Sequence, residues 1–453
     1  MATAPPSQQA ALRAETRSEQ ILAWARQHLA GGDSSTMRVV PYHLPLVAVR
    51  GEGPLVWDAD GNEILDMNMA YGPLILGHCP PAVIAAVCRQ VSESGSQLGF
   101  PTEIAARVAE KLKRLYPHME LLRFANSGTE AMMFAARLAR TATKRTHLVV
   151  MEGGYHGWSD ALFHRYHAPL DQMSTGPYGP AIPGTLGMNG APRDLLTVPY
   201  NNLDALEACL NDHADQIAAV IMEPVMGNAG VIPPAPGYLE GVRYLTREHE
   251  SLLIFDEVIS GLRVAAGGAQ EIYGVTPDVT VVSKALGGGY PVAACGASRE
   301  LMGLVVRGEL FHGGVYAGNA VVMAAAEAVL DEILANPVQL YEKLNQASDA
   351  LAHGLHDVMQ RLGIPHVVQH VGAMCSLFLT DAPVPGGLRD YRAVRRHCDL
   401  EKYINFQHHA QRLGVYFHPN QFEPMYLSTT HEPHHIASAL ERIEEAAKQC
   451  LAD

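Results

Sequence analysis

"SLLIFDEVISGLRVAAGGAQEIYGVTPDVTVVSK" occupies residues 251–284. It opens on an apolar run, "SLLIF" (251–255), and closes on a second, "VTVVS" (279–283). Short apolar runs bounded by polar residues and glycines read as buried strands. Both runs end on an ionisable group, Asp256 and Lys284. Upstream, "AAVIM" (218–222) ends on Glu223, and "THLVVM" (146–151) leads into Gly153, Gly154, Tyr155 and His156. Amphipathic stretches such as "GTEAMMFAARLART" (128–141) lie between the runs. From about residue 75 to 330 this alternation predicts βαβ units in an α/β fold with a mainly parallel sheet.

The remaining chain bounds the answer. At 453 residues it is too long for one ordinary core, so two domains are expected. "SEQILAWARQHLA" (18–30) has helical spacing, and residues 1–16 read as frayed. "PLVWDADGNEILDM" (54–67) reads as a hairpin around Asp-Gly-Asn. After residue 330, longer helices mix with short strands such as "GAMCSLFLT" (372–380), which predicts a second, α+β domain. The segment "HRYHAPLDQMSTGPYGPAIPGTLGMNGAP" (164–192) is rich in Gly and Pro and is expected to form a lid. A net charge of −14 argues against nucleic acid as a partner. Seven scattered cysteines, no apolar signal core and no run of about 18 apolar residues predict a cytoplasmic protein outside the membrane. "HEPHH" (431–435) matches no usual metal spacing, so no metal is expected.

In parallel α/β sheets, ligands bind beyond the carboxyl ends of the strands. Singly, Glu223, Asp256 and Lys284 are each compatible with a solvated end charge; together they point to a shared site. A lysine in a low-dielectric pocket has a depressed pKa, and its neutral amine attacks carbonyls. A Schiff-base lysine with an aspartate for a pyridinium nitrogen is what pyridoxal 5'-phosphate (PLP) requires. "NSGTEA" (126–131) offers a phosphate cradle: Ser127, Gly128 and Thr129 open a helix whose first N–H groups are free. A capping box, Ser127 to Glu130, is compatible with the same residues.

These motifs, with "GGYHG" (153–157), "EPVMGNAGVIPP" (223–234), "LIFDEVISGLRVA" (253–265) and "SKALGGGYPVAACG" (283–296), resemble the class III aminotransferases of PLP fold type I. "GGAQEIYGVTPD" (267–278) and "PNQFEPMYLS" (419–428) are similar to the glutamate-1-semialdehyde aminomutase subgroup. The resemblance implies a large domain, 71–330, with a mainly parallel seven-stranded sheet flanked by helices. It also implies a smaller α+β domain built from both chain ends, 1–70 and 331–453. Lys284 would be the Schiff-base lysine and proton carrier, and Asp256 the partner of the ring nitrogen. Tyr155 would stack on the ring, His156 would adjoin it, and Asn228 would reach its phenolic oxygen. Glu223 would stand behind them, and Ser127, Gly128 and Thr129 would hold the phosphate. Arg38 would bind the substrate carboxylate, and Glu423 would match the subgroup's C-terminal active-site glutamate on the substrate side.

Three features depart from the family pattern: Val315, Trp158 with Ser159, and the 164–192 segment, whose Pro and Gly spacing differs from the aminomutase gating loop. Val315 stands where a threonine usually completes the phosphate site from the partner subunit of a homodimer. Trp158 follows "YHG", and if it lines the pocket it favours an aromatic substrate. The expected activity is amino transfer between an amino acid, aromatic such as D-phenylglycine, and a 2-oxo acid such as 2-oxoglutarate. The alternatives are glutamate-1-semialdehyde 2,1-aminomutase or another PLP aminomutase or racemase, and a β-amino acid aminotransferase.

Overall fold

A computed structural model describes residues 15–39, 42–185 and 194–452. Most of the frayed N-terminal stretch and the end of the 164–192 segment lie outside the described residues.

The strands, in chain order, fall into three sheets. The first holds β1 (Ala48–Glu52), β2 (Leu55–Asp58) and β3 (Glu63–Asp66). The large sheet holds β4 (Leu121–Ala125), β5 (His147–Met151), β6 (Gly179–Pro180), β7 (Leu195–Val198), β8 (Ile217–Met222), β9 (Leu252–Glu257), β10 (Val279–Val282) and β11 (Ala293–Ala297). The third holds β12 (His366–Val371), β13 (Met374–Leu379) and β15 (Met425–Tyr426), while β14 (Val415–Tyr416) joins the first.

In the large sheet the order is β4-β11-β10-β9-β8-β5-β7-β6. The run from β10 through β7 is parallel, and β11 runs antiparallel between β10 and β4. The expected seven strands are present, with the two-residue β6 added at one edge. β8 is apolar along its whole length, and β9 up to Asp256, because both faces are covered. The alternation is strict on β5 from Leu148 and on β8 from Ala219. Val149, Met151, Val220 and Met222 enter the core on one face. Leu148, Val150, Ala219 and Ile221 enter the other, with Phe134 and Leu138 of the helix Gly128–Thr143.

Register then positions chemistry. Met222 pairs with Phe255, and Val281 pairs with Asp256. The carboxyl ends of β8, β9 and β10 therefore lie level, and the chain leaves them through Glu223, Asp256 and Lys284.

Both chain ends build the smaller sheets. The predicted hairpin forms as β2 and β3, antiparallel, with Val56 opposite Ile64. β14 adds to it in parallel, with Leu65 opposite Val415. Leu65 and Met67 share a core with Leu351, Leu377, Phe406 and Phe417.

Segment 164–185 is fastened along its length. Pro180 of β6 pairs with Leu196. Tyr391 Oη donates to the Ala168 carbonyl at 2.7 Å, and Arg392 Nη2 donates to the Ser174 carbonyl at 2.9 Å. The described part of the expected lid is thus tied to β7 and to the helix Tyr391–His397.

Candidate active site

Beyond the level strand ends lies a cavity of about 340 Å³. Eleven of the thirteen residues singled out from sequence line it: Arg38, Ser127, Gly128, Thr129, Tyr155, His156, Glu223, Asn228, Asp256, Lys284 and Glu423. Trp158 and Val315 do not; their exposures are 72% and 77% in this chain. Trp158 therefore faces outward rather than into the cavity, and Val315 sits on a surface loop where its carbonyl accepts from Gln97 Nε2.

Lys284 stands two residues past the last residue of β10, after Ser283, and takes a left-handed backbone, φ 35°. That conformation is uncommon for a residue other than glycine and marks a constrained position. Burial depresses its pKa, while Glu423, Glu223 and Asp256 pull it back up. The net direction is down, because desolvating an ammonium outweighs three carboxylates that are themselves poorly hydrated. Glu423, also buried, has its pKa pushed up to about 7 by desolvation, against the opposing pull of Lys284.

Asp256 is fixed from two sides. Its Oδ2 lies 2.8 Å from His156 Nδ1, and its Oδ1 accepts from the Val258 N–H at 3.0 Å. Among the described residues the other ring nitrogen, His156 Nε2, is buried without a partner. Glu223 acts as a backbone clamp: it accepts from the N–H groups of Tyr155 (3.2 Å), Gly227 (2.7 Å) and Asn228 (3.2 Å). Those bonds hold the two loops that carry Tyr155 and Asn228. Burial nevertheless raises the pKa of Glu223. The Tyr155 ring packs tilted against that of Tyr166, centroids 4.9 Å apart at 51°, so the 164–185 segment backs the aromatic wall.

The helix Gly128–Thr143 starts at Ser127, whose side chain accepts from the Glu130 N–H at 3.2 Å. The remaining N–H groups of its first turn are free to meet an anion. Gly157, at φ 90°, packs so closely on that turn that a Cβ there would lie 2.8 Å from Thr129 Cα. An anion seat at one end, a buried carboxylate at the other and a buried amine beside them form a donor set that fits PLP.

Sequence reasoning missed Ser35, Met37, Tyr71, Met132, Gly157, Val258, Ile259 and Ser283, which complete the lining. Tyr71 is the informative miss. Met69, Ala70, Tyr71 and Gly72 all have positive φ, 45°, 57°, 67° and 99°. This left-handed turn swings Tyr71 into the cavity, and its Oη donates to the Met37 carbonyl at 2.9 Å. Asp66 accepts from the N–H groups of Asn68 and Met69 at 2.8 and 3.0 Å, anchoring the start of the turn. Its end is held by Arg263, which is fully buried. Arg263 Nε and Nη2 donate to the Gly72 carbonyl, and Nη1 donates to the Leu427 carbonyl at 2.7 Å.

Comparison with known proteins gives a consistent answer. The profile of aminotransferase class-III matches residues 37–447. A glutamate-1-semialdehyde 2,1-aminomutase of Brevibacillus brevis is 40% identical over 438 residues, covering 96% of this chain and 99% of that one. An omega-transaminase from Sphaerobacter thermophilus superposes with a TM-score of 0.88 at 30% identity, covering 97% of this chain and 98% of that one. A transaminase solved with PLP bound superposes at 0.85 with 26% identity, covering 96% and 98%.

Proposed function

The chain belongs to the class-III aminotransferases and is a PLP-dependent enzyme; from that premise we propose that it is an aminomutase shifting an amino group between adjacent carbons of a small carboxylated substrate, glutamate-1-semialdehyde. The similarity to an aminomutase over nearly the whole length of both chains carries this choice. The geometry supports it through two proton-handling groups in one cavity, since an internal amino shift requires proton movement at two carbons.

PLP, when bound, supplies an electron-withdrawing ring that weakens the bonds to the carbon bearing nitrogen. Lys284, whose amine pKa is lowered by burial, would hold the cofactor covalently at rest and carry the proton during turnover. Asp256 keeps the ring nitrogen protonated, with His156 fixing the carboxylate's direction. Ser127, Gly128 and Thr129 seat the phosphate, and Tyr155 and Asn228 flank the ring. Arg38 binds the substrate carboxylate. Glu423, titrating near neutrality, is placed to hold a second proton beside Lys284.

Trp158, one of the grounds for an aromatic substrate such as D-phenylglycine beside the motifs and the altered 164–192 segment, stands outside the cavity of this chain. A second reading, amino transfer to a separate 2-oxo acid, is favoured by the omega-transaminase likeness. Product analysis separates the two. Glutamate-1-semialdehyde alone should yield its isomer with the amino group on carbon 1. A requirement for an added 2-oxo acid, with a keto acid released, would reject the aminomutase.

The same reading has residues 71–330 carrying the cofactor, with 1–70 and 331–453 closing over it, in a cytoplasmic homodimer. The seven cysteines, none of them in a disulfide among the described residues, support that compartment. Exposed Leu98, Phe100, Val315 and Tyr316, on two loops joined through Gln97, support an apolar face for a second copy.

A further inference from the structure

Arg38 is already engaged. Its Nε and Nη2 both donate to Asp33 Oδ1, at 2.9 and 2.6 Å. This is the edge of the guanidinium that forms paired bonds with a carboxylate. Among the described residues, Nη1 makes no hydrogen bond. Asp33 does not line the cavity, although Ser35, Met37 and Arg38 do. Its position is set locally: Oδ1 also accepts from the Ser35 N–H at 2.8 Å. The Arg38 carbonyl lies 3.2 Å from His43 Nδ1, which fixes the backbone behind the guanidinium.

We propose that Asp33 is a specificity-determining residue: an internal carboxylate that occupies Arg38 until a substrate carboxylate displaces it. This deepens the assignment of Arg38 above and rests on it. Both partners are partly solvated, at 52% and 31% exposure, so the released Asp33 side chain rehydrates without a buried-charge penalty. A pair this exposed is weak, which suits a gate that has to yield. A carboxylate that also gains contacts deeper in the cavity outcompetes Asp33, whereas a bare anion gains nothing else and is turned away. Nearby charge agrees with this arrangement, since Arg38 holds the Asp33 carboxyl below its usual range.

The test uses PLP-loaded enzyme and glutarate, a five-carbon dicarboxylate, as a binding probe, with glutaramide as its uncharged counterpart. Calorimetry gives both dissociation constants without relying on turnover. Asp33→Asn should tighten glutarate about two- to fivefold, the range of an exposed ion pair, and raise the glutarate-to-glutaramide preference by the same factor. Arg38→Gln should weaken glutarate. Asp33→Asn that weakens glutarate or leaves it unchanged, while Arg38→Gln weakens it, overturns the gate and spares the Arg38 assignment. Arg38→Gln without effect on glutarate overturns that assignment and the gate with it.

Discussion

Lys284 and Glu423 set each other's charge. Burial drives both toward neutrality, and each partly restores the other. Among the carboxylates Glu423 does most to raise the Lys284 pKa, so removing its charge has a definite sign. Glu423→Gln should lower the Lys284 pKa. Measured as the pH dependence of PLP capture by the cofactor-free enzyme, the limb belonging to the neutral amine should move to lower pH. A limb that stays put or moves up would mean the two groups do not interact as described. At this scale the sequence was most readable. Lys284, Asp256 and Glu223 each end an apolar run, and parallel strands bring such ends together. Trp158 was not readable, because one residue beyond a motif can face either way.

Elements place the cavity walls. The left-handed turn at Met69–Gly72 is costly for L-residues, about 1–2 kcal/mol each, and persists because Asp66 and Arg263 over-determine it. Among the described residues Arg263 has no carboxylate partner in its interior site, and burial brings its pKa down to about 10. Its donors are nevertheless what satisfy the Gly72 and Leu427 carbonyls. Arg263→Ala should therefore cost at least about 3 kcal/mol, since each buried bond to a charged donor contributes roughly 1.5–3 kcal/mol. Urea unfolding measures this, and a loss below about 1 kcal/mol would contradict the role. None of this was legible in "NMAYGPLILGH" (68–78), where the backbone sign of Met69, Ala70 and Tyr71 depends on an arginine nearly two hundred residues away. β11 escaped for a different reason. "AACGA" carries no β-branched or aromatic residue, and tertiary pairing with β4 and β10 makes it a strand.

Over the whole molecule, the fold joins distant stretches of chain. β14 adds to β3 across some 350 residues, a pairing between two-residue segments that no local pattern announces. The buried histidines give the molecule a pH signature. His118, His164, His167 and His431 have pKa values lowered to about 4, and His418 to about 3, each chiefly by burial. Below pH 6.5 the unfolded chain binds more protons at these sites than the folded one. Stability should therefore fall as pH drops from about 6.5 to 4, read as a decreasing Tm in calorimetry; a flat Tm across that window would contradict their burial as neutral rings. The apolar face at Leu98, Phe100, Val315 and Tyr316 predicts a particle near twice the 48.9 kDa chain mass in sedimentation equilibrium. A monomer would leave that face unexplained.

The central claim is that Lys284 is the residue that binds PLP covalently. Borohydride reduction of the PLP-loaded enzyme, followed by peptide mass spectrometry, tests it directly. The predicted result is one reduced cofactor adduct, on the peptide containing Lys284, absent after Lys284→Ala. An adduct on a different lysine of the wild-type enzyme, or none, would contradict the account.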